Sequence, residues 1–511
     1  MQPERITSIV IVGGGTAGWI SAAILAKLLP STACKITLIE SSEIATVGVG
    51  EATIPPIIEL LRYLEIDEQD FICKTEATFK LGILFKDWLT PGSNYFHPFG
   101  SVGVGINKVS FFHYWQIIRA QFPDTQFADF SPAAAMANAG KFIPPAMSGE
   151  DSLLRGANYA LHFDANLVAK YLQTYSLAKG VERRQATINS VHQNDKGFIQ
   201  QLTLHNGETI AGDLFLDCSG FTGLLIEKTL HAGYENWQKY LPCDSAVTVL
   251  SQKSEKTPPY TVATAKAAGW QWQIPLQHRM GNGYVYCSKD CEDSDAQHLL
   301  LNSLATPAIS EARKLTFTTG YRKIMWKHNC IAVGLSAGFL EPLESTGIHL
   351  IMRAVKKLVE LLPNKNCDPA LADEFNRTMI AEYEAIRDFL VLHYVTTQRS
   401  DSPFWRRCSS MDIPESLARK IAIFLDQGKI AFNPHDLFME QNWHAIFEGM
   451  NVRPNSVDWF ADFTPESEAL NIARQLQHLL HKIVGTLPSH DNFLTQVRGN
   501  NIRSTKLPQA S

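Results

Sequence analysis

No stretch of this 511-residue chain stays apolar and uncharged long enough to span a bilayer, although apolar residues make up 45% of it. The opening residues, MQPERITSIVIVGGG, also lack the cationic start, long apolar middle and small-residue cleavage site of a signal peptide. A soluble, cytoplasmic protein is the expectation. Basic charge is not in excess: 46 Lys and Arg against 51 Asp and Glu leave a net charge of −5, which supplies no field for phosphate backbones. Nucleic acid and membrane partners are therefore not expected. Cysteine is sparse and odd in number, nine scattered residues that suit reduced thiols better than a disulfide framework. The closest pair, Cys287 and Cys291 in CSKDC, has no second pair or histidine at ligand spacing, so no metal site is expected.

What is present begins with a βαβ pattern. ITSIVIV is β-branched and apolar, GGGTAG is a turn, WISAAILAKLLP has helical composition up to Pro30, and CKITLIE is a second strand. Two later runs, GDLFLDCSGF and CIAVGLSAGF, read as short strands that deliver small residues at their C-terminal ends, where parallel sheets bind ligands. From Ile348 the period becomes helical, through Ile351, Met352, Val355, Leu358, Val359 and Leu362, and most of the remaining chain reads as helix with aromatic-rich loops. The closing RGNNIRSTKLPQAS reads as a mobile tail. The expected organisation is a module over residues 1–360 and a mostly helical region over residues 361–511.

Gly13, Gly15 and Gly18 match the G-x-G-x-x-G spacing, which lets backbone and helix N-terminus approach a pyrophosphate whose charge the helix dipole favours. Thr16 and Ala17 lie inside the same turn. Glu40 ends the second strand 22 residues after Gly18, where a carboxylate would accept from a ribose hydroxyl. The return of the chain at Asp213, Asp217 and Gly220 favours FAD over NAD by fold analogy. A second physical reading concerns GLSAGFLEPLESTGIHLIM. Free N–H groups at a helix start form an anion site, and Thr346 followed by Gly347 leaves room for a small anion to reach them.

In order along the chain, GGGTAGW, GVGEATIP (Gly48 to Pro55), WQWQIP (Trp270 to Pro275) and FLEPLESTG (Phe339 to Gly347) resemble the flavin-dependent halogenases of the tryptophan-halogenase family. NYALHFDA around His162 and LHYVTTQRSDSPFW near Trp405 extend the match over most of the chain. The glycine fingerprint is shared by many flavoproteins, whereas W-x-W-x-I-P and F-x-x-P-x-x-S-x-G are distinctive. The resemblance implies an α/β fold: an N-terminal Rossmann-type FAD-binding fold of PHBH-like flavoprotein architecture with a mostly helical C-terminal substrate region. It also implies that reduced FAD, supplied by a separate flavin reductase, and oxygen convert chloride or bromide into hypohalous acid. The acid then passes to an electron-rich, indole-like aromatic substrate in a separate pocket. A homodimer is compatible with it. Hydroxylation by a flavin monooxygenase and a non-catalytic flavin-binding redox protein are the alternatives.

The same resemblance assigns roles. Lys80 would donate a hydrogen bond to hypohalous acid or carry the halogen as a haloamine, although strand alternation by itself puts it on an exposed face beside the surface residues Lys74 and Lys86. Glu344 would position the halogenating species and take the proton from the ring, against the simpler reading of a carboxylate favoured by a helix dipole. Ser345 would relay hydrogen bonds, or act as a plain N-cap. Thr346 and Gly347 would bind halide. Ala52, Thr53, Asp217 and Gly334 join the cofactor-binding set. Trp270 and Trp272, on one side of a strand, would wall the flavin from the substrate, and His97, Pro98, Phe99 and Trp443 would line the substrate pocket. The segment HDLFMEQNWHAIFEGMNVRP lacks the adjacent tyrosines with which the family holds free tryptophan, so another aromatic substrate is expected.

Overall fold

The computed structural model describes residues 4–41 and 50–504, with side chains described to residue 499. Gly48 and Val49 of the GVGEATIP motif lie outside the described residues. The chain forms two compact units, each assembled from three segments. The first comprises residues 1–75, 163–238 and 317–384, the second residues 76–162, 239–316 and 385–511. A contiguous division at 360/361 does not coincide with these segments, because the strands of both units are drawn from distant parts of the sequence.

The first unit is built on the βαβ pattern. Strand Ser8–Val12 pairs in parallel with Lys35–Glu40 on one side and Leu214–Asp217 on the other, and Cys330–Ala332 extends the sheet. These strands are buried apolar runs, as a parallel sheet covered on its faces requires. Helix Thr16–Leu28 follows the glycine turn and buries Trp19, Ile20, Ile24 and Leu25. The helix read from Ile348 runs over Gly347–Glu360, where its apolar stripe buries Ile348, Ile351, Val355 and Leu358. Arg353 on its other side forms a forked ion pair with Glu382.

The second unit centres on a seven-stranded sheet in the order Arg313–Thr316, Ser245–Gln252, Arg279–Tyr286, Gly269–Pro275, Thr261–Lys266, Gly82–Lys86, Asn94–Pro98. All neighbours run antiparallel except Thr261–Lys266 beside Gly82–Lys86. Trp272 lies opposite Gly283, where a Cβ would sit 2.1 Å from the indole ring, so only glycine lets that ring lie across the strand. The helices Pro403–Ser410, Glu415–Gln427, Glu440–Gly449, Glu466–Gly485 and His490–Ser504 confirm the helical reading of the C-terminal region. The last of these takes residues 498–504 of the expected tail into a helix, and residues 505–511 lie outside the described residues.

Candidate active site

The glycine turn of the first unit separates into two kinds of glycine. Gly13 has φ +117, and a Cβ there would meet the Cys218 carbonyl oxygen at 2.2 Å; one on Gly18 would meet the Gly13 carbonyl at 1.9 Å. Both are dictated by the close approach of helix and strands. Gly15 has ordinary extended backbone and a Cβ there would meet nothing within 4 Å. It stands as N-cap of helix Thr16–Leu28 with no side chain capping the first turn, and Thr16 and Ala17 beside it are half-buried. The chain itself does not require this glycine. The open space at this uncapped helix start fits an anionic group such as the pyrophosphate of FAD.

Glu40, Gly334 and Asp217 of the predicted cofactor set lie around the same turn. The Glu40 carboxylate lies over Gly14, where a Cβ would fall 1.6 Å from Oε2, and it accepts from the Trp19 indole at 3.3 Å and pairs with Arg183. Gly334 has φ +71, and a Cβ there would press on Ala17 at 2.8 Å, so this glycine lets the strand Cys330–Ala332 turn away beneath the helix start. Asp217 needs correction as a direct ligand. Its buried carboxylate accepts from the amides of Ser219, Leu225 and Ile226 and from the Ser219 hydroxyl, at 2.6–3.0 Å, so its acceptor capacity is used in holding the turn. Ala52 is half-buried and Thr53 buried beside Glu51, whose carboxyl burial pushes up to about 7. Sequence reading overlooked Glu51, although it stands inside the quoted GVGEATIP motif.

The stretch Glu344 to Gly347 belongs to the same unit. Glu344 is fully buried at the end of the turn Pro342–Glu344. Ser345 follows at φ 60, a left-handed conformation that costs a non-glycine residue of order 1 kcal/mol and is held here by the surrounding fold. The N-cap reading of Ser345 is corrected: Thr346 occupies that position, and no side chain caps the helix. Thr346 is buried, whereas Gly347 is exposed, and a Cβ on Gly347 would meet nothing within 4 Å. Uncapped N–H groups and open space at this helix start leave room for a small anion.

The second unit holds the remaining set. Lys80 is fully buried, which overturns the exposed-face reading, while Lys74 and Lys86 are exposed as expected. It ends the short strand Thr78–Lys80, which pairs with residues 160–162, and its ammonium lies 5.1 Å from the centre of the Phe99 ring. Two residues back, Thr78 donates to the Pro275 carbonyl at 2.6 Å, so its oxygen accepts from His162 Nδ1 at 2.9 Å. Thr261 then donates to His162 Nε2 at 2.9 Å. This wiring keeps the buried imidazole neutral. Burial first, then Lys80 and His490, hold it well below the ordinary histidine range.

His97 is buried, with Phe99 and Phe438 rings 6.4 and 6.2 Å away, and Pro98 beside it faces Gly82 across the strand pair. Asn442, which sequence reading missed, caps its helix by accepting from the Met439 amide at 2.8 Å, so its amide nitrogen donates to His97 Nε2 at 3.0 Å. The only sequence signal for it was an asparagine in the third position of a helix. Trp443 lies among the same aromatic rings. It is 1% exposed, donates its indole N–H to the Phe438 carbonyl and packs 5.1 Å from Phe389, which stacks on Phe438 at 3.8 Å. Trp270 and Trp272 are buried neighbours with ring centres 6.0 Å apart. No group of three or more His, Cys, Asp or Glu side chains able to hold a metal occurs among the described residues.

Comparison with known proteins places the chain in one family. The model of the family described as tryptophan halogenase matches residues 8–466. The tryptophan 6-halogenase SttH of Streptomyces toxytricini is 34% identical, over 96% of this chain and 98% of its own. Among solved structures, BrvH, a flavin-dependent halogenase from Brevundimonas sp. BAL3, is 40% identical with a TM-score of 0.92, over 96% of this chain and 99% of its own. Xcc4156, a flavin-dependent halogenase from Xanthomonas campestris, has the same identity and TM-score, over 96% and 98%. The chain belongs to the tryptophan halogenase family, whose members are flavin-dependent halogenases, oxidoreductases that work with FAD, a halide and oxygen.

Proposed function

We propose that this halogenase acts on an indole-like, electron-rich aromatic ring other than free tryptophan, with Lys80 and Glu344 as its catalytic residues. The complete burial of Lys80 carries the reading. Lysines are rarely fully buried, and burial of this one against the Phe99 ring supports a role in holding a reactive acceptor away from water. FAD, when bound and reduced, supplies with oxygen the oxidising power that converts halide into hypohalous acid. The amides of Thr346 and Gly347 hold the halide. The Lys80 ammonium donates to the oxygen of hypohalous acid and so directs the electrophilic halogen. Glu344, a buried carboxylate, takes the proton from the ring carbon that has gained the halogen. Ser345, between Glu344 and Thr346, relays hydrogen bonds. Trp270 and Trp272 wall the cofactor from the substrate, and His97, Pro98 and Phe99 form the edge of the aromatic pocket.

The substrate assignment rests on two features: the helical region from His435 to Pro454 has no tyrosine, and its first polar contact toward His97 comes from Asn442. Reduced flavin comes from a separate reductase, and the enzyme works in the cytoplasm; among the described residues no helix is long and apolar enough to cross a membrane. A homodimer is the assembly to test. Incubation with FAD, a flavin reductase and NADH, bromide or chloride, and either indole or tryptophan, followed by mass spectrometry, tests the reading. Halogenated indole with little halogenated tryptophan is expected. Hydroxylated product alone, or faster turnover of tryptophan, would overturn it.

A further inference from the structure

A cavity of about 360 Å³ in the second unit lies apart from the residues given roles above. The outer end of strand Asn94–Pro98, the helix Phe111–Ile118 with its following turn, and the helix Glu440–Gly449 enclose it. Its size is at the lower end of the range that holds small organic ligands. Trp115, Phe122 and Phe127 supply aromatic wall, with ring centres 6.1 Å apart for Trp115 and Phe122 and 6.5 Å for Trp115 and Phe127.

The polar side is unbalanced. Arg119 and Arg453 both line the cavity, against the single carboxylate of Glu448. That carboxylate is already engaged: it accepts from the Trp115 indole at 2.9 Å, the Gln116 amide at 2.6 Å and Arg453 Nη1 at 2.9 Å. Arg453 Nε is buried and has no acceptor, and Arg119 forms no ion pair with any described residue. Burial above all, and then the nearby Arg119, disfavour the charged form of Arg453, which Glu448 counteracts. One positive charge is left over, beside a buried donor. A monoanion would balance the count, whereas a dianion would exceed it.

We propose that this cavity is a second binding site, for a small aromatic carboxylate. The carboxylate group lies between the guanidinium groups of Arg119 and Arg453, and the ring packs against Trp115, Phe122 and Phe127. The proposal rests on the cavity and not on the halogenation chemistry.

The experiment is calorimetric titration of benzoate into the FAD-loaded enzyme in halide-free buffer, with indole saturating so that the substrate pocket is filled. One benzoate per chain is expected. Arg119→Gln, at a half-buried residue without an ion pair, should weaken binding about tenfold without changing the unfolding transition. Arg453→Lys, which keeps the charge but loses the fork, should weaken it also. Absent binding, displacement of benzoate by indole, or unchanged affinity in Arg119→Gln would overturn the proposal. Sulfate binding as tightly as benzoate would overturn its aromatic part.

Discussion

Gly15→Ala separates what the fold needs from what the cofactor needs. The parent backbone at residue 15 has φ −77 and ψ −171, which alanine adopts freely, and the added Cβ meets no protein atom within 4 Å. Alanine is a slightly poorer N-cap than glycine, but it also lowers the entropy of the unfolded chain. The two effects oppose each other, and apoprotein stability should stay within about 1 kcal/mol of the parent. FAD binding should respond differently. A methyl group in the cradle keeps the pyrophosphate from the helix start, and loss of one charge-assisted hydrogen bond of about 1.5–3 kcal/mol raises the Kd roughly 10- to 150-fold. Gly18→Ala provides the contrast: its Cβ would sit 1.9 Å from a backbone carbonyl that no rotamer change can move, so apoprotein stability itself should fall by about 3 kcal/mol. Urea unfolding of the apoproteins and FAD titration by fluorescence measure both quantities. A Gly15→Ala protein that binds FAD within about twofold of the parent would refute the cradle.

Three further outcomes are expected. Lys80→Met, which preserves volume at a fully buried position, should abolish halogenation while leaving the FAD Kd unchanged; product formation at more than about a tenth of the parent rate would remove the lysine from the chemistry. Gly283→Ala should cost about 1–3 kcal/mol through collision with the Trp272 ring, and the cost should vanish in a Trp272→Ala background; additive losses in a double-mutant cycle would show that the ring is not the obstacle. Acid should destabilise the second unit early. Burial is the main cause holding His113 and His490 at about 4, His444 at about 3 and His162 well below 6.5, so the folded protein keeps them neutral while the unfolded chain protonates near 6.5. Their contribution is fully present above 6.5 and is lost as pH falls toward the folded values, about 1.4 kcal/mol per pH unit for each histidine. Glu51, raised from 4.5 to about 7, acts in the opposite sense over that interval but belongs to the first unit. Urea midpoints that stay level from pH 6.5 to pH 5 would contradict the assignment.

The βαβ opening was legible because its signals are local: β-branched runs, a glycine turn and a helix with an apolar face can be read without knowing what lies across the sheet. Asp217 could be placed at a strand end, but the direction of its carboxylate depends on where the chain turns eight residues later, at Leu225 and Ile226. Strand alternation failed at Lys80 for a definite reason. It treats residues 79–86 as one strand, whereas the chain breaks at Leu81: Thr78–Lys80 pairs with residues 160–162, and Gly82–Lys86 belongs to the seven-stranded sheet. The Leu81 amide donates instead to the Pro259 carbonyl at 2.8 Å, and its own carbonyl accepts from Phe99 at 2.8 Å. A face inferred across such a break has no meaning, because each short strand is covered by different partners. The same change of sheet that defeats the pattern puts Lys80 beside Phe99: the residue that turns the chain also brings alongside it the strand carrying His97 and, just past its end, Phe99. The feature least readable from periodicity is thus the one that brings a cation, in the buried interior, against the Phe99 ring.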